Sequence, residues 1–326
     1  MDSFFFNQAM LSHLTKASTA SVSRGIANLK LTPIPSETGH NKKFSIDSIR
    51  KITDVVYASS RRPIKQKVHV FYNFKGGTGK TSICFQVATH LSILGYKVLC
   101  LDLDPQGHLS SVLGIGEERN ALTVYDILIN SAKVEDAIIN VFPGLDVIPS
   151  NISLTRIEVP LTAQNRREEK LKKIIDGLRS DYDFIIMDTN PTISTLNMNA
   201  LVASDRINIV CETQPFSLSG LRILVDELDK FYSDMMLEPN YCIIPNKYEI
   251  KTATAQEVLG ALRSEFGNLV LNDIIRKSED INVASKKKVP VSAFCKSKSP
   301  AFEDIMDLVH DIVKLSLIDV DLKEAM

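Results

Sequence analysis

The sequence predicts an α/β fold: a mostly parallel sheet flanked by helices, preceded by a small helical domain with a winged helix-turn-helix pattern. Three observations lead there. Six short, near-continuously apolar runs recur between residues 67 and 245, as strands covered on both faces require. Helical periods fall between them, and strands alternating with helices argue for a parallel sheet. A polar, basic stretch with a proline, ASSRRPIKQ at 58–66, separates this region from what precedes it. It divides the chain into residues 1–62 and 63–326.

In chain order, residues 7–30 read as two short helices around a turn. Met10, Leu11 and Leu14 lie on the first, and Val22, Ile26 and Leu29 on the second. A Pro/Gly/Asn-rich excursion, LTPIPSETGHNKK, leads to a third helix, SIDSIRKITDVVY. The strands are expected at 67–73, 97–102, 145–149, 183–188, 206–211 and 241–245. Between them, Leu171, Ile174, Ile175 and Leu178 mark a helix in 164–179, and Val258, Leu259, Leu262 and Phe266 mark another in 254–266, each spaced by three and four residues.

With 326 residues, 44% hydrophobic and 24% charged, the chain has the composition of a soluble globular protein with room for a large core. No apolar run is long enough to span a bilayer, and the start MDSFFFNQAM lacks the basic and long apolar regions of a secretory signal. The five cysteines are scattered, four in apolar runs and none in a CxxC pair. That favours reduced core residues of a cytosolic protein over metal ligands. Net charge is −1, but residues 1–66 carry ten Lys/Arg against four Asp/Glu and residues 276–298 seven against two. Two basic zones fit separate polyanion contacts, with solvated surface as the alternative.

The chemistry is concentrated after the first strand of the alternating region, where the chain reads KGGTGKTS and continues as a helix over 80–94. Strand, glycine-rich loop and helix are the context of a phosphate loop. Gly76, Gly77 and Gly79 let backbone N–H groups curl around an anion, with Thr78 and Ser82 completing the loop. Lys80 would reach the β- and γ-phosphates of a nucleotide, and the Thr81 hydroxyl would ligate Mg²⁺. Phe74 stands where the general pattern has glycine. Asp102 and Asp104 leave the end of the next buried strand, and Asp188 ends a third. Ligands in such sheets bind at the carboxyl ends of strands, which places Asp188 to hold Mg²⁺ through water.

KGGTGKT, DLDPQG and DTNP together resemble the ParA group of chromosome and plasmid partition ATPases, in the deviant Walker A class of P-loop NTPases that includes MinD and the nitrogenase iron protein. The likeness runs from about residue 67 to 316. It implies that Lys75 is a signature lysine that reaches the phosphates bound by a second subunit, so that ATP joins a homodimer. It also implies that Asp104 activates the attacking water and that Asp102 supports the Mg²⁺ shell. Asn246, in IIPNKY, would face the adenine, with a plain strand-end turn as the alternative. Asn190, His108 and Ser82 depart from the commoner residues of the group, which bears on rate and switch geometry rather than on nucleotide binding.

The basic zones then suggest DNA. The resemblance places non-specific nucleoid contacts at Arg276, Lys277, Lys286, Lys287 and Lys288, where the lack of interleaved aromatics favours phosphates over bases. The alternative is a solvated loop. The amino-terminal pattern is similar to the operator-binding extension of larger plasmid ParA proteins. Ser21, Ser23, Arg24 and Asn28 would then face a groove, with Lys42 and Lys43 on the wing; a helical dimerisation or docking arm is the other possibility. The acidic polar face of the chain end, FEDIMDLVHDIVKLSLIDVDLKEAM, disfavours a membrane partner. The expected protein is a cytoplasmic, nucleoid-associated partition ATPase whose weak hydrolysis is stimulated by a ParB-like centromere-binding protein. The alternatives are a nucleotide-regulated repressor and an ATPase that positions a non-DNA cargo.

Overall fold

The computed structural model describes residues 4–34, 42–57, 63–116 and 120–317. Helices Gln8–Leu14 and Thr19–Asn28 each begin at a side-chain cap. Asn7 accepts from the Met10 N–H and Ser18 from the Ser21 N–H, satisfying donors that a first helical turn leaves open. Strand β1 (Phe6–Asn7) pairs antiparallel with β2 (Lys43–Phe44), and a third helix spans Ile46–Tyr57. The three helices lie where helices were expected, and the β1–β2 pair was not among the expected elements. Residues 35–41 of the expected wing and the boundary at residue 62 lie outside the described residues.

The extension is packed onto the rest of the chain. Phe6, Leu11, Phe44 and Ile49 are buried in the same core as Phe85, Leu91, Phe302 and Ile305. Phe4 meets Phe142 edge to face at 5.7 Å. Arg50 donates to the carbonyls of Ser92, Gly95 and Tyr96, at the end of the Lys80–Ile93 helix. Open carbonyls at a helix C-terminus carry partial negative charge, so a guanidinium there is doubly favourable.

Seven strands form the main sheet: β3 (Val68–Tyr72), β4 (Val98–Asp102), β5 (Ile139–Phe142), β6 (Leu145–Ile148), β7 (Phe184–Asp188), β8 (Arg206–Glu212) and β9 (Tyr241–Asn246). Their order is β5-β6-β4-β7-β3-β8-β9. The pairings from β6 to β9 are parallel, as expected. Only β5, at the edge, is antiparallel; its half-exposed INVF run lacks the continuous apolar character that marks the other six. One apolar core, including the extension and helices Lys80–Ile93 and Pro300–Ser316, covers one face. The other face carries Lys170–Leu178, Thr195–Ala203 and Pro215–Asp234. The helix expected from residue 164 begins at Lys170, after a 3₁₀ turn. Four of the five cysteines are buried and all five are free thiols. No helix among the described residues is long and apolar enough to cross a membrane.

Arg50→Ala removes charged, partly buried hydrogen bonds to helix-end carbonyls, so it should lower unfolding stability by about 2 kcal/mol. Hydrogen exchange should rise first in residues 8–57 and leave β3 to β8 protected. Uniformly raised exchange would show that Arg50 does not fasten the extension.

Candidate functional site

Because β4, β7, β3, β8 and β9 run in the same direction, their carboxyl ends line one edge. The ladder sets Asp102 opposite Asp188 and Glu212 opposite Asn246. The loop Asn73–Gly79 leaves β3 between them and runs into the Lys80–Ile93 helix. Gly77 and Gly79 have φ of 77° and 94°, the left-handed region that side chains disfavour. At Gly79 a Cβ would also lie 2.5 Å from Asn246 Nδ2. Backbone N–H groups at this helix start are free to meet an anion.

Lys80 is 6% exposed, and its hydrogen bond, to the Lys75 carbonyl, is long at 3.4 Å. Burial lowers its pKa, while Asp188 and Asp104 nearby pull it back. A buried cation at the base of an N–H-lined loop suits a phosphate.

The aspartates differ. Asp188 is fully buried, and neither carboxylate oxygen has a hydrogen-bond partner. Burial pushes its pKa well up, and Asp102 adds to the rise. The Thr81 hydroxyl is close enough to favour the charged form but not in hydrogen-bonding geometry. Two orphaned carboxylate oxygens beside a hydroxyl fit a divalent cation. Asp102 is another matter. Its Oδ2 accepts from the Ser110 N–H at 2.8 Å and hydroxyl at 2.7 Å, and its Oδ1 from the Asp104 N–H at 3.1 Å. Burial still raises its pKa to about 6 against those bonds. Asp102's oxygens thus shape the 102–110 turn, whereas those of Asp188 stay open beside Thr81. Asp104 is half-exposed, with Oδ1 taking the Gln106 N–H at 2.9 Å. Beside it opens a cavity of about 740 Å³ lined by Gln106, His108, Asn151 and Arg156.

Lys75 reaches across the loop mouth to Glu212, Nζ to Oε2 at 2.7 Å. Asn246 Nδ2 donates to the Thr78 carbonyl at 2.7 Å and is 4% exposed, so its amide buttresses the loop. Asn190, a departure from the commoner proline, accepts from Asn197 Nδ2 at 2.8 Å, and the same nitrogen reaches the Thr192 carbonyl at 2.6 Å. That network holds the turn after β7.

Among the expected DNA contacts, Arg276 is forked onto Asp304, with Nε to Oδ2 at 2.9 Å, and Lys277 bonds Glu249 at 2.8 Å. Lys286, Lys287 and Lys288 close the Glu279–Lys287 helix and are exposed; Lys287 lies over the Phe294 ring. Ser23, Arg24, Asn28, Lys42 and Lys43 are exposed and Ser21 is half-buried. The sequence reading missed Glu212 and Lys247, although Glu212 ends an apolar run just as Asp102 and Asp188 do.

Asp188→Asn removes a buried carboxyl that is costly to hold at neutral pH, charged or protonated, so nucleotide-free protein should gain on the order of 1–3 kcal/mol at pH 7.5. With the folded pKa raised, the penalty builds up as pH rises from the ordinary carboxylate value, about 4, to the folded value and is constant above it. The gain should therefore shrink as pH falls toward about 4. Melting curves across that range check the sign. Mg²⁺-dependent hydrolysis should be lost in the same variant.

A family model described as an AAA domain matches residues 66–241. The chain is similar to the chromosome-partitioning ATPase Soj of Treponema pallidum, 33% identical over 231 residues, covering 70% of this chain and 90% of the relative. The chromosome partitioning protein ParA of Caulobacter vibrioides is 30% identical over 230 residues, covering 69% and 86%. Among solved structures, a plasmid partition protein of Borrelia burgdorferi bound to AMPPNP superposes with a TM-score of 0.63 at 25% identity, over 76% of this chain and all of that one. With the phosphate loop, the strand-end carboxylates and Lys75 at the loop mouth, these likenesses establish that the chain belongs to the ParA/MinD family of partition ATPases.

Proposed function

We propose that this chain is an ATP-driven DNA partition switch. The reading rests above all on one observation: a buried Lys80 and an unpartnered Asp188 face each other under a glycine loop. ATP phosphates would seat on the loop N–H groups of Gly76–Thr81, with Lys80 on the β- and γ-phosphates. Thr81 and Asp188 would hold Mg²⁺, which neutralises charge on the transferring phosphoryl group. Asp104, with one carboxylate oxygen outside its turn, accepts the proton of the attacking water.

Lys75 supplies the link to a second copy. Extended from the loop mouth, it would place a cation on the partner's phosphates and make hydrolysis conditional on the dimer. Closure of the dimer doubles the number of exposed Lys286, Lys287 and Lys288 side chains that one duplex meets, and affinity for phosphates rises with the number of cations engaged. Arg276 and Lys277 contribute less, because acids within the chain already pair them. Arg24, Lys42 and Lys43 face solvent on the extension and suit a separate operator contact. A ParB-like centromere-binding protein would stimulate hydrolysis and release the cytoplasmic dimer from the nucleoid.

The test is binding to long random-sequence duplex DNA with ATP, ADP or no nucleotide across a salt series. Six lysines per dimer predict a log–log salt slope of about −5 with ATP. Lys75→Ala should weaken ATP-dependent binding by at least about a hundred-fold. Binding indifferent to both nucleotide and Lys75 rejects the switch.

A further inference from the structure

Glu212, at the end of β8, is 7% exposed and sits between two lysines. Its Oε2 accepts from Lys75 Nζ at 2.7 Å and its Oε1 from Lys247 Nζ at 2.8 Å. Ser217, in the first turn of the Pro215–Asp234 helix, gives Lys75 a second contact at 3.3 Å. Lys247 has φ of 54°, a left-handed backbone that costs a residue with a side chain roughly 1 kcal/mol or more. Its ammonium also bonds the Gly77 carbonyl. Burial opposes the charge on Glu212, yet the bonds to Lys247 and Lys75 prevail and hold its pKa below the usual carboxylate value.

We propose that Glu212 is a positioning residue that latches Lys75 onto its own subunit and releases it only to a nucleotide-loaded partner. This rests on the partition-switch reading above, in which Lys75 acts across the dimer. To act there Lys75 must leave Glu212, and a carboxylate buried without a partner is costly. The second lysine removes that obstacle, because Lys247 stays on Glu212 and the pair left behind is neutral. The competitor must then out-attract a single carboxylate. A triphosphate carries more charge than a diphosphate, so the latch opens more readily toward ATP than toward ADP. In the free subunit the same contact keeps Lys75 from other anions, DNA phosphates included.

The experiment uses the full chain and Glu212→Gln, which keeps the side chain's shape and removes its charge. Two readouts are taken. Sedimentation with ATP and Mg²⁺ should show half-dimerisation at about ten-fold lower protein concentration than wild type, equivalent to about 1.4 kcal/mol shared by the two latches of a dimer. In nucleotide-free protein, a lysine-acylating reagent followed by mass spectrometry should modify Lys75 at least about three-fold faster, with Lys298 as the exposed internal reference. Loss of a merely structural contact would weaken dimerisation and lower the melting temperature instead. Should Glu212→Gln fail to fold, Ser217→Ala removes the lesser contact and should shift both readouts in the same direction by less. A variant that dimerises no more readily than wild type, or labels no faster at Lys75, overturns the latch. If wild type itself stays monomeric with ATP, the partition-switch reading fails, and the labelling of Lys75 decides the latch alone.

Discussion

The constraint on which the rest depends is the shared direction of six adjacent strands. Parallel neighbours end at the same edge of a sheet, and β4, β7, β3, β8 and β9 each finish their apolar run in a functional group or loop. Asp102, Asp188, the phosphate loop, Glu212 and Asn246 are therefore neighbours in space although they span about half the chain. Inserting β7 between β4 and β3 is what sets Asp188 directly beside the loop. Had β7 run the other way, its carboxylate would lie at the far edge with the same sequence and the same burial.

Three acids end up sheltered at this edge, and the chain deals with each differently. Ser110 and the Asp104 N–H satisfy Asp102. Two lysines neutralise Glu212. Nothing in the described chain hydrogen-bonds Asp188. Uncompensated burial of a carboxylate is expensive, and such local costs gather where a ligand acts. The contrast separates the satisfied acids from the unsatisfied one, which their strand-end positions do not. Asp102 and Asp188, equal as letters in the sequence, thus sit in different hydrogen-bonding surroundings.

The amino-terminal extension enters the same picture through one helix. Lys80–Ile93 begins at the phosphate loop and ends where Arg50 holds the carbonyls beyond it. At 14 residues it spans about 21 Å, and buried contacts line it on nearly every side. The phosphate loop and the extension thus meet opposite ends of the same helix. Arg24, Lys42 and Lys43 are exposed on a part of the chain whose buried residues share one core with that helix.

The alternating apolar runs, the glycine loop and the carboxylates that end the runs were legible in the sequence alone, because each is local. Burial on two faces imposes continuous apolar character, and a phosphate loop needs glycines and a lysine at fixed spacing. The β5 edge strand escaped because an edge position does not demand that character. Glu212 and Lys247 escaped because their meaning lies in a contact between residues 35 apart in sequence and with Lys75, 137 residues from Glu212. The sequence by itself determined that an α/β sheet of the nucleotide-binding kind would form, with a glycine loop between β3 and the Lys80–Ile93 helix. Only the tertiary structure decided which acids are satisfied, which basic residues are already paired and where Lys75 rests. Those outcomes depend on which strand ends become neighbours, and that is settled by packing across the whole sheet.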